Sequence, residues 1–152
     1  MQSSITALDL TLGINHSTPY LNLKVATMPF ARIDLNEGKA PEYRAAVADI
    51  VYRGIVDVLK APDGDRFIVV NEHQPNNLIY DPNFLGFSRS PDFLLIQVTS
   101  TVGNDTGSKL AFYRFIADEL KAKLSVRADD IMINMVFVQR EDWSFGDGQP
   151  WT

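Results

Sequence analysis

Residues 93–99 read Phe-Leu-Leu-Ile-Gln-Val-Thr, and the segments on either side of them decide the fold. So short and apolar a run fits a strand buried on both faces. Downstream, Leu110, Phe112, Phe115, Ile116, Leu120 and Leu124 recur at helical spacing, and the turn-like Arg127-Ala128-Asp129-Asp130 leads into another apolar strand, Ile131 to Val138. The same order stands upstream. Phe30 to Leu35 is strand-like, and Pro41 suits the first turn of a helix, where its missing N–H would have no partner. Tyr43, Val47, Ile50, Val51, Gly54, Ile55 and Val58 then mark one apolar face, Ala61-Pro62-Asp63-Gly64 ends it, and Phe67 to Asn71 is the next strand. Between the two units Leu78 to Tyr80 reads as a short strand in a linker hairpin, and Asp81-Pro82-Asn83 and Gly86 punctuate a loop reaching Arg89.

One β-α-β unit is therefore repeated. Each unit wants two parallel strands with its helix crossing one face in the right-handed sense. Joined edge to edge, the units make an α/β (α+β) fold: a four-stranded, mainly parallel sheet with both helices on one side. The other side is left bare, and a partner subunit is the economical cover for it. An oligomer is expected.

Composition excludes several classes. The 152 residues, 45% of them hydrophobic, suffice for one domain with a genuine core. A net charge of -5 without a Lys/Arg cluster speaks against nucleic-acid binding, which needs a basic footprint. With no cysteine there is no disulfide, thiol nucleophile or thiolate zinc site, and His73 has no histidine at i+4, so no metal is expected. No stretch reaches the length of a membrane span, residues 1–27 lack the pattern of a secretory signal, and cytoplasm is the default. Those first residues show no sustained period, apart from a strand-compatible alternation at Tyr20 to Val25, and read as an added arm or upstream segment.

Met28-Pro29 stands directly before the first strand. Within the chain Pro29 is a tertiary amide with neither a proton nor a lone pair to offer. If translation starts at Met28 and that residue is removed, Pro29 becomes a secondary amine. An α-amino group titrates near pH 8, and burial or a nearby cation lowers this further. Such a group can take or give a proton near neutrality, or attack a carbonyl. The bland alternative is a strand-entry proline.

Met-Pro-Phe at 28–30, Asp-Arg-Phe at 65–67, Glu-His-Gln-Pro at 72–75, Phe-Ser-Arg-Ser at 87–90, Ile-Gln-Val-Thr at 96–99 and Asp-Trp-Ser-Phe-Gly at 142–146 are carried in this order along the chain. Together they resemble the tautomerase superfamily, in particular its malonate semialdehyde decarboxylase branch, from Pro29 to about Trp151. The resemblance divides the chain into an extension, 1–28, and a tautomerase-like domain, 29–152. It implies a homotrimer acting on a small oxo acid, with Pro29 as an amino-terminal catalytic residue in a pocket between subunits and no cofactor.

By the same resemblance Asp65 orients water or assists the proline, with a turn or cap residue as the alternative. Arg89 is the cation available to hold a substrate carboxylate, unless it pairs with a carboxylate at a subunit contact; Arg32 and Lys109 are weaker candidates. His73 is a second proton-transfer group or a structural hydrogen-bonder, and Trp143, with Phe145, lines the pocket or serves packing. Relatives carry arginine between the second unit's first strand and its helix, where Asn104 stands here, and an amide cannot neutralise a carboxylate. The expected reaction is keto–enol tautomerisation or a decarboxylation; hydration or dehalogenation of an unsaturated acid, which needs two convergent cations, fits least. The alternative is a noncatalytic trimeric scaffold or binding protein of the same fold.

Overall fold

A computed structural model describes residues 28–101 and 103–151. The arm at 1–27, including Tyr20 to Val25, lies outside the described residues. Strand β1 (Phe30–Asn36), helix α1 (Pro41–Asp57), β2 (Phe67–His73), β3 (Leu94–Thr101), α2 (Thr106–Leu124) and β4 (Ile131–Val138) follow in the order read from the sequence. The sheet order is β2-β1-β3-β4. β1 runs parallel to β2 and β3 to β4, whereas the two units meet through an antiparallel β1–β3 pairing. The sheet is thus mixed, with two of its three pairings parallel.

Strand alternation decides the layers. Ala31, Ile33 and Leu35 of β1 and Leu94, Ile96 and Val98 of β3 are buried against Val47, Val51 and Ile55 of α1 and Phe112, Ile116 and Leu120 of α2. The intervening residues point to the other face, where Phe67, Val69 and Met132 remain exposed on the single chain. That uncovered apolar face is the one expected from the repeat.

Pro41 does open α1, and Asp105 caps α2 by accepting the Ser108 N–H at 2.7 Å. That backbone hydrogen bond holds the exposed Asp105 carboxyl below its ordinary range. Gly54 belongs to the apolar stripe for a steric reason. A Cβ there would stand 2.9 Å from both Phe112 Cε2 and Ile116 Cδ1, so its absence lets the helices approach. Gly54→Ala is expected to lower stability by about 1–2 kcal/mol, overpacking outweighing the ~1 kcal/mol gain in helix propensity. Urea unfolding monitored by circular dichroism measures it.

Two local expectations fail. Leu78 to Tyr80 forms no strand. No backbone pairs with it among the described residues; instead Tyr80 packs its ring 4.4 Å from Phe93 and donates its hydroxyl to the Ser90 carbonyl at 2.8 Å. Leu110 is 61% exposed rather than on the apolar face of α2. Two positions of helix rotation, roughly 200°, separate it from the buried Phe112.

Candidate active site

Pro29 is buried at the entrance to β1. Phe30 and Phe67, opposite one another in the parallel pair, start their strands side by side and point to the open face. Beyond β4 the chain makes a 3₁₀ turn at Arg140–Asp142, closed by Asp142 accepting the Gln139 N–H at 2.7 Å, and doubles back. Trp143 then stacks on Phe145 at 5.5 Å, Phe145 meets Trp151 edge-on at 5.6 Å, and the Trp151 N–H bonds the Trp143 carbonyl at 2.8 Å. These segments enclose a cavity of about 290 Å3 lined by Met28, Pro29, Phe30, Phe67, Trp143, Ser144 and Phe145.

Pro29 and Trp143 are thus brought together. Asp65 precedes Phe67 by two residues in the turn where its N–H reaches the Pro62 carbonyl at 3.5 Å; it is at the same end of the sheet but does not line the cavity. His73 and Arg89 are placed elsewhere. His73 pairs with Asn36 at the far end of β1, about 20 Å along a seven-residue strand. Its Nε2 lies 2.7 Å from Asp34 Oδ1, which also accepts from the Asn71 amide at 3.0 Å. Arg89 lies just before β3, whose first residue pairs with Leu35 at that same far end.

Cations at the Pro29 end come from residues given less weight by the sequence. Arg32 stands on the open face with its guanidinium 5.8 Å from the Phe30 ring centre, and no carboxylate pairs with it among the described residues. Arg140, which sequence reasoning missed, lies 4.9 Å over Trp151 and so touches the same aromatic tail. Phe67 was also missed as a wall residue; its pairing with Phe30 is a matter of register, which no local pattern reports. Asn104 follows β3 out of the sheet at this end, and its side-chain nitrogen is buried with no hydrogen-bond partner among the described residues, as is Trp143 Nε1. Of these groups Trp143 lines the cavity, while Arg32 and Asn104 lie at the same end of the sheet outside its lining; an aromatic cavity with an unsatisfied indole donor suits a ligand with an apolar body and a hydrogen-bond acceptor. Among the described residues no group of His, Cys, Asp or Glu could hold a metal, and no helix is long and apolar enough to cross a membrane.

Comparison with known proteins agrees with this geometry. Two family profiles, both described as Tautomerase enzyme, match residues 65–146 and 29–88. The chain is 30% identical over 122 residues to the probable tautomerase YusQ of Bacillus subtilis (strain 168), covering 80% of this chain and 96% of that one. With the probable tautomerase YrdN of the same organism it shares 31% over 122 residues, covering 80% and 94%. A solved FG41 malonate semialdehyde decarboxylase inhibited by 3-bromopropiolate superposes with a TM-score of 0.72 at 35% identity, over 79% of this chain and 91% of that one. A fused 4-OT asymmetric trimer, at 18% identity and a TM-score of 0.64 over 79% and 94%, shares the fold. The mixed four-stranded sheet, the repeated β-α-β unit and these matches along 29–146 make the chain a member of the tautomerase family.

Proposed function

We propose that the protein is an enzyme transferring a proton on a small oxo acid, by keto–enol tautomerisation or a malonate semialdehyde decarboxylase-like reaction, with Pro29 as acid or base. The observation that carries this reading is the cavity itself, in which Pro29 is walled by Phe30, Phe67 and Trp143. Walls of this kind disfavour an ammonium cation, so a freed proline nitrogen would titrate lower than an exposed amine and be partly neutral at physiological pH. The division at residue 28 belongs to the same proposal, since Pro29 needs its amide bond to Met28 removed.

Asp65 assists from the turn before β2, and Trp143 offers its indole N–H to a developing oxyanion. Arg32 and Asn104 hold the carboxylate. Arg89 and His73 could reach this cavity from another copy, and the relatives solved as trimers favour a homo-oligomer, with the exposed Phe67 and Val69 on its inner surface. Neither a metal nor an organic cofactor is needed for proton transfer by an amine.

Intact mass and amino-terminal sequencing of the protein made from its native gene and upstream region test the premise. A chain starting at Pro29 that ketonises phenylpyruvate enol or decarboxylates malonate semialdehyde is the expected result. A mature chain that retains Met28 overturns it and favours the noncatalytic scaffold, in which Pro29 simply enters the strand.

A further inference from the structure

The two β-α-β units are copies in geometry. In each, paired residues of the parallel strands are 37 positions apart, Phe30 with Phe67 and Leu94 with Ile131. The antiparallel β1–β3 pairing relates the units by an approximate two-fold axis normal to the sheet between these strands. The Pro29 cavity is built from the starts of β1 and β2 and from a segment beginning five residues past the end of β4. Applied to it, the two-fold calls for a second cavity at the starts of β3 and β4, closed by a segment beginning five residues past β2. A cavity of about 330 Å3 stands there, lined by Leu78, Phe84, Arg89, Phe93, Leu95 and Met132 among others.

We propose that this second cavity is a binding site for a small carboxylic acid with an apolar body, one that holds its ligand without turning it over. Arg89 supplies the charge. Its guanidinium lies over the rings of Phe87 at 5.4 Å and Phe93 at 5.3 Å, makes one long bond to the Phe84 carbonyl at 3.4 Å, and has no carboxylate partner among the described residues. A planar fork held between two rings and not neutralised is arranged to receive a carboxylate in bidentate fashion. The carboxylate in the lining, Asp81, is turned back on its own loop, accepting the Asn83 N–H at 2.8 Å.

Position is fixed from both sides of Arg89. Ser88 N–H donates to Asp129 at 3.0 Å and Ser90 N–H to the fully buried Asp130 at 2.5 Å, so the loop cannot easily carry the guanidinium away. Catalysis is absent for a plain reason. Neither a lysine nor a proline is among the residues that line it, so no amine stands at the cavity. This site does not depend on whether Pro29 is free.

The full chain carries four methionines, of which Met28 lines the first cavity and Met132 the second. With methyl-13C-methionine labelling, titration with phenylacetate, which lacks an oxo group, should shift the Met132 methyl resonance saturably. Arg89→Gln should weaken that titration at least tenfold, and Leu95→Trp, filling the cavity with Arg89 in place, should abolish it. A Met132 signal that phenylacetate leaves unmoved in the folded chain, or one that titrates identically in Arg89→Gln, overturns the proposal. The Met28 response bears separately on the Pro29 cavity.

Discussion

A chain that keeps Met28 is expected to turn over phenylpyruvate enol about 10²–10⁴-fold more slowly than one beginning at Pro29, the range a positioned acid or base contributes. The cause is electronic. In the longer chain the Pro29 nitrogen shares its lone pair with the Met28 carbonyl and carries no hydrogen. Met28 also occupies part of the cavity wall, so its removal opens space next to the new amine. Pro29→Ala in the shorter chain separates the two effects, because alanine supplies a primary amine in the opened cavity. Its rate should fall between the other two, with the pH dependence of kcat/KM displaced towards the titration of a primary amine. Equal rates for all three chains would remove Pro29 from the chemistry, whatever the fold.

Asp130→Ala is expected to cost about 3–5 kcal/mol, the range for removing one partner of a buried charged network. Asp130 is fully buried at the turn before β4 and accepts both the N–H and the hydroxyl of Ser90, at 2.5 and 2.8 Å, while Arg127 approaches at 3.6 Å. Alanine would strand the Ser90 donors and free the 88–93 segment from the α2–β4 junction. At ~2–4 °C per kcal/mol for a chain of this size, the melting temperature should fall by ~6–20 °C. Asp130→Asn keeps an acceptor and should lose less. Calorimetry gives the stability, and hydrogen exchange at the Ser90 amide shows whether the loop bearing Arg89 loosens with it. A loss below about 1 kcal/mol in Asp130→Ala would mean that water replaces the carboxylate readily and that the junction is not the loop's anchor.

Much of the fold was legible because its signals are local. Ala31, Ile33 and Leu35 alternate with polar neighbours, Val47, Val51 and Ile55 repeat at helical spacing, and turn residues such as Pro62-Asp63-Gly64 punctuate them. Where two readings competed locally, the sequence lost. Leu78-Ile79-Tyr80 has strand composition, yet a strand needs a partner edge, and the Tyr80 hydroxyl found the Ser90 carbonyl instead. Leu110 has helical spacing relative to its neighbours, but the true inward stripe runs through Phe112, Ile116 and Leu120.

The site was less legible for the same physical reason. Pro29, Asp65, His73, Arg89 and Trp143 were selected one at a time, from chemistry and from resemblance, and nothing in a linear chain says which of them are neighbours. By itself the sequence determined the repeated β-α-β unit, the helix-covered and bare faces of the sheet, and the unusual Met28-Pro29 junction, because periodicity and residue chemistry are properties of adjacent residues. Tertiary structure alone decided that Pro29 shares a cavity with Phe67 and Trp143 while Arg89 and His73 stand at the opposite end. For Phe67 and His73 that division follows from the parallel β1–β2 register; for Trp143 and Arg89 it follows from the antiparallel β1–β3 register, a choice of hydrogen-bond partners between strands some 60 residues apart in sequence, which no local pattern encodes.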